Sequence, residues 1–253
     1  MSNYEEVKKS FEKQAEKFAS YHMSKAEYTD YLIKCVHASG NEHALEVAAG
    51  TCICGRALAP YVKDITCLDL TEAMLKKGEE LAELNDIRNI SFVLANAMNL
   101  AYEDETFDLV ITRLSLHHFT EPEKLFREMQ RVLKIGGKLV IWDMESTSED
   151  LRDVDDEIEK MRDPSHTRIL SKEEFEELYR NSFNLIHEEM TLVPVNLQNW
   201  MDLTDTPTDI QRKIIERMNV DLSGGAKTGF NPYIKDEQIW FDHRWLLLVG
   251  IKG

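Results

Sequence analysis

The sequence predicts an α/β fold, a mostly parallel sheet with helices on both faces. Three observations predict it. Between residues 44 and 143, short apolar runs of strand length alternate with amphipathic segments of helical period, the pattern of repeated βα units. Small or capping residues, among them Gly50, Thr71 and Gly136, stand at the joins. The chain has 253 residues, enough for one large domain of this kind.

Residues 4–37 read as two helices. Phe11, Ala15 and Phe18 recur at spacings of three and four, as do Tyr28, Leu32 and Cys35. Ser24, with Glu27 three residues later, has the capping-box pattern for the second helix. Ser39-Gly40-Asn41 breaks the helical grammar. Strands are expected at 44–48, 65–69, 90–94, 107–112 and 138–143. Helices are expected after the first strand around 56–59, after the second from the Thr71 cap to about Asn85, and over 121–134 with Leu125, Met129 and Leu133 inward. Gly136-Gly137 reads as the stop of that last helix. The charged stretch 146–170 is expected to present a solvated helix face, followed by a turn at Arg162-Asp163-Pro164-Ser165-His166. Ser171 and Glu174 open another helix by the capping-box pattern. Residues 183–190 and 240–251 complete seven strands. Between them, 196–235 reads as an insertion with helices at 198–203 and 208–218 and a loop at Ser223-Gly224-Gly225.

Asp and Glu number 46 against 30 Lys and Arg, a net charge of −16. Such a chain repels phosphate backbones and anionic membranes, so nucleic acid is not an expected partner. The longest strongly apolar run, 245–251, is too short for a membrane span. The polar N-terminus has no apolar targeting segment. Cys35, Cys52, Cys54 and Cys67 read as reduced thiols, so a cytoplasmic location is expected. A zinc site built on Cys52-x-Cys54 lacks a second spaced pair, and no metal is expected.

Sheets of this class bind ligands just beyond the carboxyl ends of their strands. After the first strand runs Glu46-Val47-Ala48-Ala49-Gly50-Thr51-Cys52-Ile53-Cys54-Gly55, a small-residue turn that lets a ligand approach the backbone. Asp69 ends the second strand, 19 residues after Gly50; an acid at that separation can accept from both hydroxyls of a ribose. Together they point to a nucleoside ligand.

Four segments in order then carry a resemblance: residues 44–51, 68–75 (Leu68-Asp69-Leu70-Thr71-Glu72-Ala73-Met74-Leu75), 107–110 (Phe107-Asp108-Leu109-Val110) and 131–137 (Arg131-Val132-Leu133-Lys134-Ile135-Gly136-Gly137). The chain resembles the class I S-adenosylmethionine-dependent methyltransferases over roughly residues 11–145. Leu114-Ser115-Leu116-His117-His118-Phe119 and the Arg162–His166 turn are similar to the ubiquinone/menaquinone-type branch. The resemblance implies a Rossmann-like doubly wound sheet of seven strands, with one antiparallel strand near the C-terminus. It implies a helical cap over 1–38, a cofactor-binding core over 39–145, and a completion of the sheet over 146–253 with a substrate-side insertion around 196–235. The implied cofactor is S-adenosylmethionine, with S-adenosylhomocysteine as product and a small molecule as methyl acceptor. The acceptor atom and the oligomeric state are left open.

The resemblance also implies residue roles. Glu46 orients the methionine ammonium, and Ala48 and Gly50 pass beneath the methionine moiety. Asp69 holds the ribose, Leu70 and Met74 flank the adenine, and Asn96 and Ala97 meet its polar edge. Arg113 and Leu114 lie on the methyl side, and Phe11, Ala15 and Phe18 belong to a helix closing over the site. Two departures stand out. The usual G-x-G-x-G is Ala48-x-Gly50-x-Cys52, where an alanine is tolerable at negative φ and Cys52 adds bulk against the ligand. The usual Asp after the third strand is Asn96, which keeps an acceptor without its charge.

Methyl transfer from a sulfonium needs alignment above all. A general base is needed only where the nucleophile carries a proton of high pKa, and His117 and His118 are the candidates. Trp200, Phe230, Tyr233 and Trp240 are candidates for an aromatic acceptor pocket, with core packing the equal alternative. A nicotinamide-dependent oxidoreductase fits Gly50 and Asp69, but the turn lacks G-x-G-x-x-G. A methyltransferase fold kept as a non-catalytic binding module is the remaining alternative.

Overall fold

The computed structural model describes residues 3–20 and 26–253. Helices α1 (Asn3–Ser20) and α2 (Ala26–Val36) precede the sheet; Ser24 lies outside the described residues. The βα units follow as β1 (His43–Val47), α3 (Ile53–Leu58), β2 (Asp64–Asp69), α4 (Glu72–Leu84), β3 (Ile90–Leu94), β4 (Phe107–Arg113), α5 (Pro122–Val132) and β5 (Leu133–Met144). The rest comprises α6 (Arg152–Arg162), α7 (Lys172–Tyr179), β6 (Phe183–Asn196), α8 (Leu197–Leu203), α9 (Thr208–Leu222), β7 (Tyr233–Lys235) and β8 (Gln238–Lys252).

The strand order is β3-β2-β1-β4-β5-β8-β6. Five strands pair in parallel, and β8 runs antiparallel between β5 and β6. An eighth strand, the three-residue β7, pairs with the start of β8; its brevity hides it in the sequence. Alternate residues face opposite sides of a sheet. Ala44, Leu109, Val140 and Leu247 therefore pack against α2, α3 and α4, while Leu45, Val110, Leu139 and Leu246 pack against α5 and α7. The order reverses between β1 and β4, which is the switch point where such sheets leave a crevice.

Two boundaries differ from expectation. Gly136-Gly137 does not stop a helix: α5 passes into β5 at Leu133, which pairs with Phe107. Gly136, at φ +77°, sits in an excursion before pairing resumes at Leu109–Lys138. Strand β6 runs on from residue 190 to Asn196 because β8 offers partners as far as Trp240.

The stretch 146–170 contradicts the expected solvated face. The inward side of α6 carries Asp155, Ile158, Glu159 and Arg162, all buried, at spacings of three and four. Arg162 pairs with Glu159 at 3.2 Å, and His243 from β8 approaches the same carboxylate at 3.3 Å. The buried Glu159 and Arg162 are paired, as burial demands, whereas Asp155 has no ion-pair partner among the described residues. No helix among the described residues is long and apolar enough to cross a membrane.

Candidate active site

A cavity of about 270 Å³ lies beyond the carboxyl ends of β1 to β5. The twelve residues singled out from the sequence all border it: Glu46, Ala48, Gly50, Asp69, Leu70, Met74, Asn96, Ala97, Arg113, Leu114, His117 and His118. They come from the ends of four strands, which only the parallel register brings together.

The loop after β1 has an alternating backbone. Ala48 (φ +53°), Gly50 (φ +53°) and Cys52 (φ +58°) are all left-handed. That alternation accounts for a small-residue pattern at every second position, since glycine alone adopts it without a steric cost. The condition of negative φ, under which an alanine is tolerable, is not met at Ala48; its methyl sits on strained backbone. The expectation that Cys52 crowds the ligand is wrong. Cys52 is fully buried and does not border the cavity. A Cβ built on Gly78 of α4 would meet the Cys52 Sγ at 2.8 Å, so the thiol is turned into the α4 packing. Gly50 is bare towards the cavity: a Cβ there would meet nothing within 4 Å.

Asp69 fixes this loop to the next. Its Oδ2 accepts from Gly50 N–H at 2.7 Å and its Oδ1 from Thr71 N–H at 2.8 Å. Burial pushes its carboxyl up, and those N–H donors hold it partly back. A carboxylate has about four acceptor positions, so roughly two remain for a ligand. Thr71 stands at the N-cap of α4 as expected, but its side chain makes no cap bond. Glu46 faces the start of α3, where Oε2 accepts from Gly55 N–H at 2.7 Å and Oε1 from Cys54 N–H at 3.3 Å. Burial raises its carboxyl; these donors and the Cys67 thiol oppose the rise. Its visible work is to tie β1 to α3.

Asn96 is exposed, and its Oδ1 accepts from Met98 N–H at 2.9 Å, an Asx turn that leaves one lone pair on that oxygen. The guanidinium of Arg113 lies over the Trp142 and Trp245 rings at 5.1 and 4.9 Å. Burial lowers its pKa, and Cys54 and Glu46 counter that.

On the other side stands a group that sequence reasoning passed over. Asp143, at the end of β5, is buried and accepts four bonds. Its Oδ1 takes His117 Nδ1 at 2.6 Å and Met144 N–H at 2.7 Å. Its Oδ2 takes Ser115 N–H at 2.8 Å and Leu116 N–H at 2.7 Å. Burial alone would raise its carboxyl, but His117 and the two N–H groups on Oδ2 hold it below the usual aspartate value. An ionised Asp143 only accepts, so His117 Nδ1 donates to it and Nε2 is the ring nitrogen left outside this bond. The signal was an acid ending a strand beside the His117 segment. His118 differs: burial first, then His117, push its imidazole well below the ordinary range. Its Nδ1 meets Ser165 Oγ at 3.1 Å, and its ring stands edge-on to Phe11 at 5.0 Å.

Helix α1 contributes Phe11 and Phe18 to the wall, whereas Ala15 is buried away from it. Arg162, Trp200 and His243 also border the cavity. Of the four aromatic candidates only Trp200 does so; Phe230 packs against Trp200 and Phe241 in a separate core, and Tyr233 and Trp240 lie elsewhere. His166 is turned away, bonded through Nε2 to Asp156 at 2.7 Å.

A methyltransferase domain family matches residues 45–141. The chain is 26% identical over 226 residues to a Bacillus subtilis protein named as the uncharacterized methyltransferase YcgJ, covering 87% of this chain and 88% of that one. The solved YcgJ structure superposes with a TM-score of 0.80, covering 92% of this chain and 99% of that chain at 24% identity. The uncharacterized Escherichia coli protein YafE is 32% identical over 152 residues, or 59% of this chain and 73% of that one. The ubiquinone/menaquinone biosynthesis C-methyltransferase UbiE of Escherichia fergusonii is 35% identical over 118 residues. The match to UbiE spans 44% of this chain and under half, 46%, of UbiE's length. With the motifs on the predicted strand ends and these relatives in agreement, the chain belongs to the class I S-adenosylmethionine-dependent methyltransferases.

Proposed function

We propose that the protein binds S-adenosylmethionine in this cavity and transfers its methyl group to a small molecule. The observation that carries the reading is the bare, left-handed loop around Gly50, locked at 2.7 Å to an Asp69 carboxylate that keeps acceptor positions to spare. The residues fit the group. Asp69 would hold the ribose hydroxyls, Leu70 and Met74 would flank the adenine, and the Asn96 Oδ1 and Ala97 N–H would meet its polar edge. The Ala48–Gly50 backbone would run under the methionine portion, near Glu46, with Arg113 and Leu114 towards the methyl. When bound, the cofactor supplies an activated methyl group on a sulfonium sulfur.

The protein's own work is alignment and exclusion of water. Phe11 and Phe18 on α1 cover the cavity, so its enclosure does not depend on a ligand alone. Where the acceptor must lose a proton, His117 takes it at Nε2, while Asp143 fixes the tautomer and steadies the charge that forms. His118, kept neutral by burial, serves packing instead.

The test is transfer of labelled methyl from S-adenosylmethionine into a solvent-extracted small-molecule fraction. Label in low-molecular-weight products, with stoichiometric S-adenosylhomocysteine, supports the reading. Label confined to macromolecules, or no transfer with the cofactor bound, overturns it.

A further inference from the structure

The far end of the cavity holds three polar side chains, each with one nitrogen that the fold leaves unpaired. Arg162 at the end of α6, Trp200 on α8 and His243 on β8 border it together, and they are 8%, 1% and 9% exposed. Arg162 Nε, Trp200 Nε1 and His243 Nδ1 are buried and make no hydrogen bond among the described residues. Buried polar atoms are nearly always paired, so three on neighbouring residues at one cavity end call for a partner.

Their neighbours set what that partner is. The Arg162 guanidinium lies 4.6 Å from the centre of the Trp200 ring. Glu159 is shared between Arg162 Nη2 at 3.2 Å and His243 Nε2 at 3.3 Å, which holds both side chains in place. Asp163, the other acid bordering this end, already accepts from Ser10 Oγ, Ser165 Oγ and Ser165 N–H on one oxygen. Guanidinium and indole N–H groups only donate. Arg162 is ion-paired only through Nη2, so its Nε–H and the Trp200 Nε1–H are donors without acceptors among the described residues; such donors complement an oxygen that carries negative charge, and guanidinium geometry favours a carboxylate. Leu203, Phe11 and Phe18 border the same cavity and offer apolar contact to the rest of a small molecule.

We propose that Arg162, Trp200 and His243 form the acceptor subsite and that it takes a small carboxylate, oriented by its carboxyl group. This rests on the methyltransferase reading above. The test uses benzoate, phenyl phosphate, benzamide and benzylamine as probes, titrated into the full-length protein with and without S-adenosylhomocysteine. Indole N–H resonances are followed, with Trp200 assigned by Trp200→Phe.

Benzoate is expected to shift the Trp200 indole resonance and to bind at least tenfold more tightly than benzamide or benzylamine. Arg162→Lys, which keeps the charge but loses the planar fork, should weaken benzoate at least tenfold. Benzylamine or benzamide binding as well as benzoate would overturn the proposal, as would a benzoate shift unchanged by Arg162→Lys or a silent Trp200 resonance with every probe. Phenyl phosphate binding more tightly than benzoate would overturn the carboxylate assignment. The comparison among probes on the unaltered protein stands even if the variant is poorly folded. S-adenosylhomocysteine failing to bind would refute the methyltransferase reading separately, because the probe order is also read without it.

Discussion

Replacing Asp143 by Asn tests the hub that holds His117 and the backbone of residues 115 and 116. Asp143 accepts four bonds, two on each oxygen, from His117 Nδ1, Met144 N–H, Ser115 N–H and Leu116 N–H. An amide has one oxygen. Whichever way it flips, its NH₂ faces two donors. Two bonds to a charged acceptor are lost, each worth about 1.5–3 kcal/mol, so the variant should lose about 3–6 kcal/mol. In a chain of this length each kcal/mol moves the midpoint by about 2–4 °C, which puts the melting temperature roughly 10 °C or more lower. The assay is thermal unfolding by circular dichroism, repeated with His117→Asn, which removes only one of the four bonds and should cost less. Because the folded carboxyl lies below its usual value, its stabilisation is present above the ordinary aspartate pKa and lost as pH falls through the folded value. The gap between native protein and variant should therefore close in strong acid. A midpoint within 2 °C of the native one at neutral pH would refute the reasoning.

Three further outcomes follow from the same structure. Ala48→Gly should stabilise by about 0.5–1 kcal/mol, the relief of left-handed strain less the entropy of an added glycine; Cys52→Gly should not, since it also empties a fully buried site, and urea midpoints that rank the two the other way would contradict this. Asp155, pushed well above its usual value by burial and then by Glu159 and Asp156, opposes folding when ionised; Asp155→Asn should gain about 1–3 kcal/mol at pH 8, with the gain fading as pH falls through the raised pKa, and a gain independent of pH would argue against it. Gly55→Ala would drive a methyl into Cys67 Sγ and to 2.8 Å from Glu46 Oε2, costing about 1–3 kcal/mol; Cys67→Ala in the same chain should restore part of it, and no recovery would place the strain elsewhere.

The strand ends were legible because period and punctuation agree there. Glu46, Asp69 and Arg113 stand at the ends of largely buried strands and Asn96 just after the half-exposed edge strand β3, and their convergence is a property of parallel pairing. What stayed hidden depends on distant partners. The charges on α6 look like a solvated face until His243, 84 residues on, is folded against Glu159. Asp143 looks like an ordinary strand end until His117 is brought to it across 26 residues. The direction of the Cys52 side chain turns on one backbone angle, and residue type alone does not state it. Gly136 reads as a helix stop because glycine is equally at home in the β5 excursion that it occupies.

The most direct test of the central claim is calorimetric titration of S-adenosylhomocysteine into the native protein and into Asp69→Ala. Two hydrogen bonds from ribose hydroxyls to a charged carboxylate, about 1.5–3 kcal/mol each, predict an affinity about a hundredfold or more weaker in the variant. Micromolar binding by the native protein that falls by that factor would establish the cavity as the cofactor site. Equal binding by both proteins, or none by the native protein, would contradict the account.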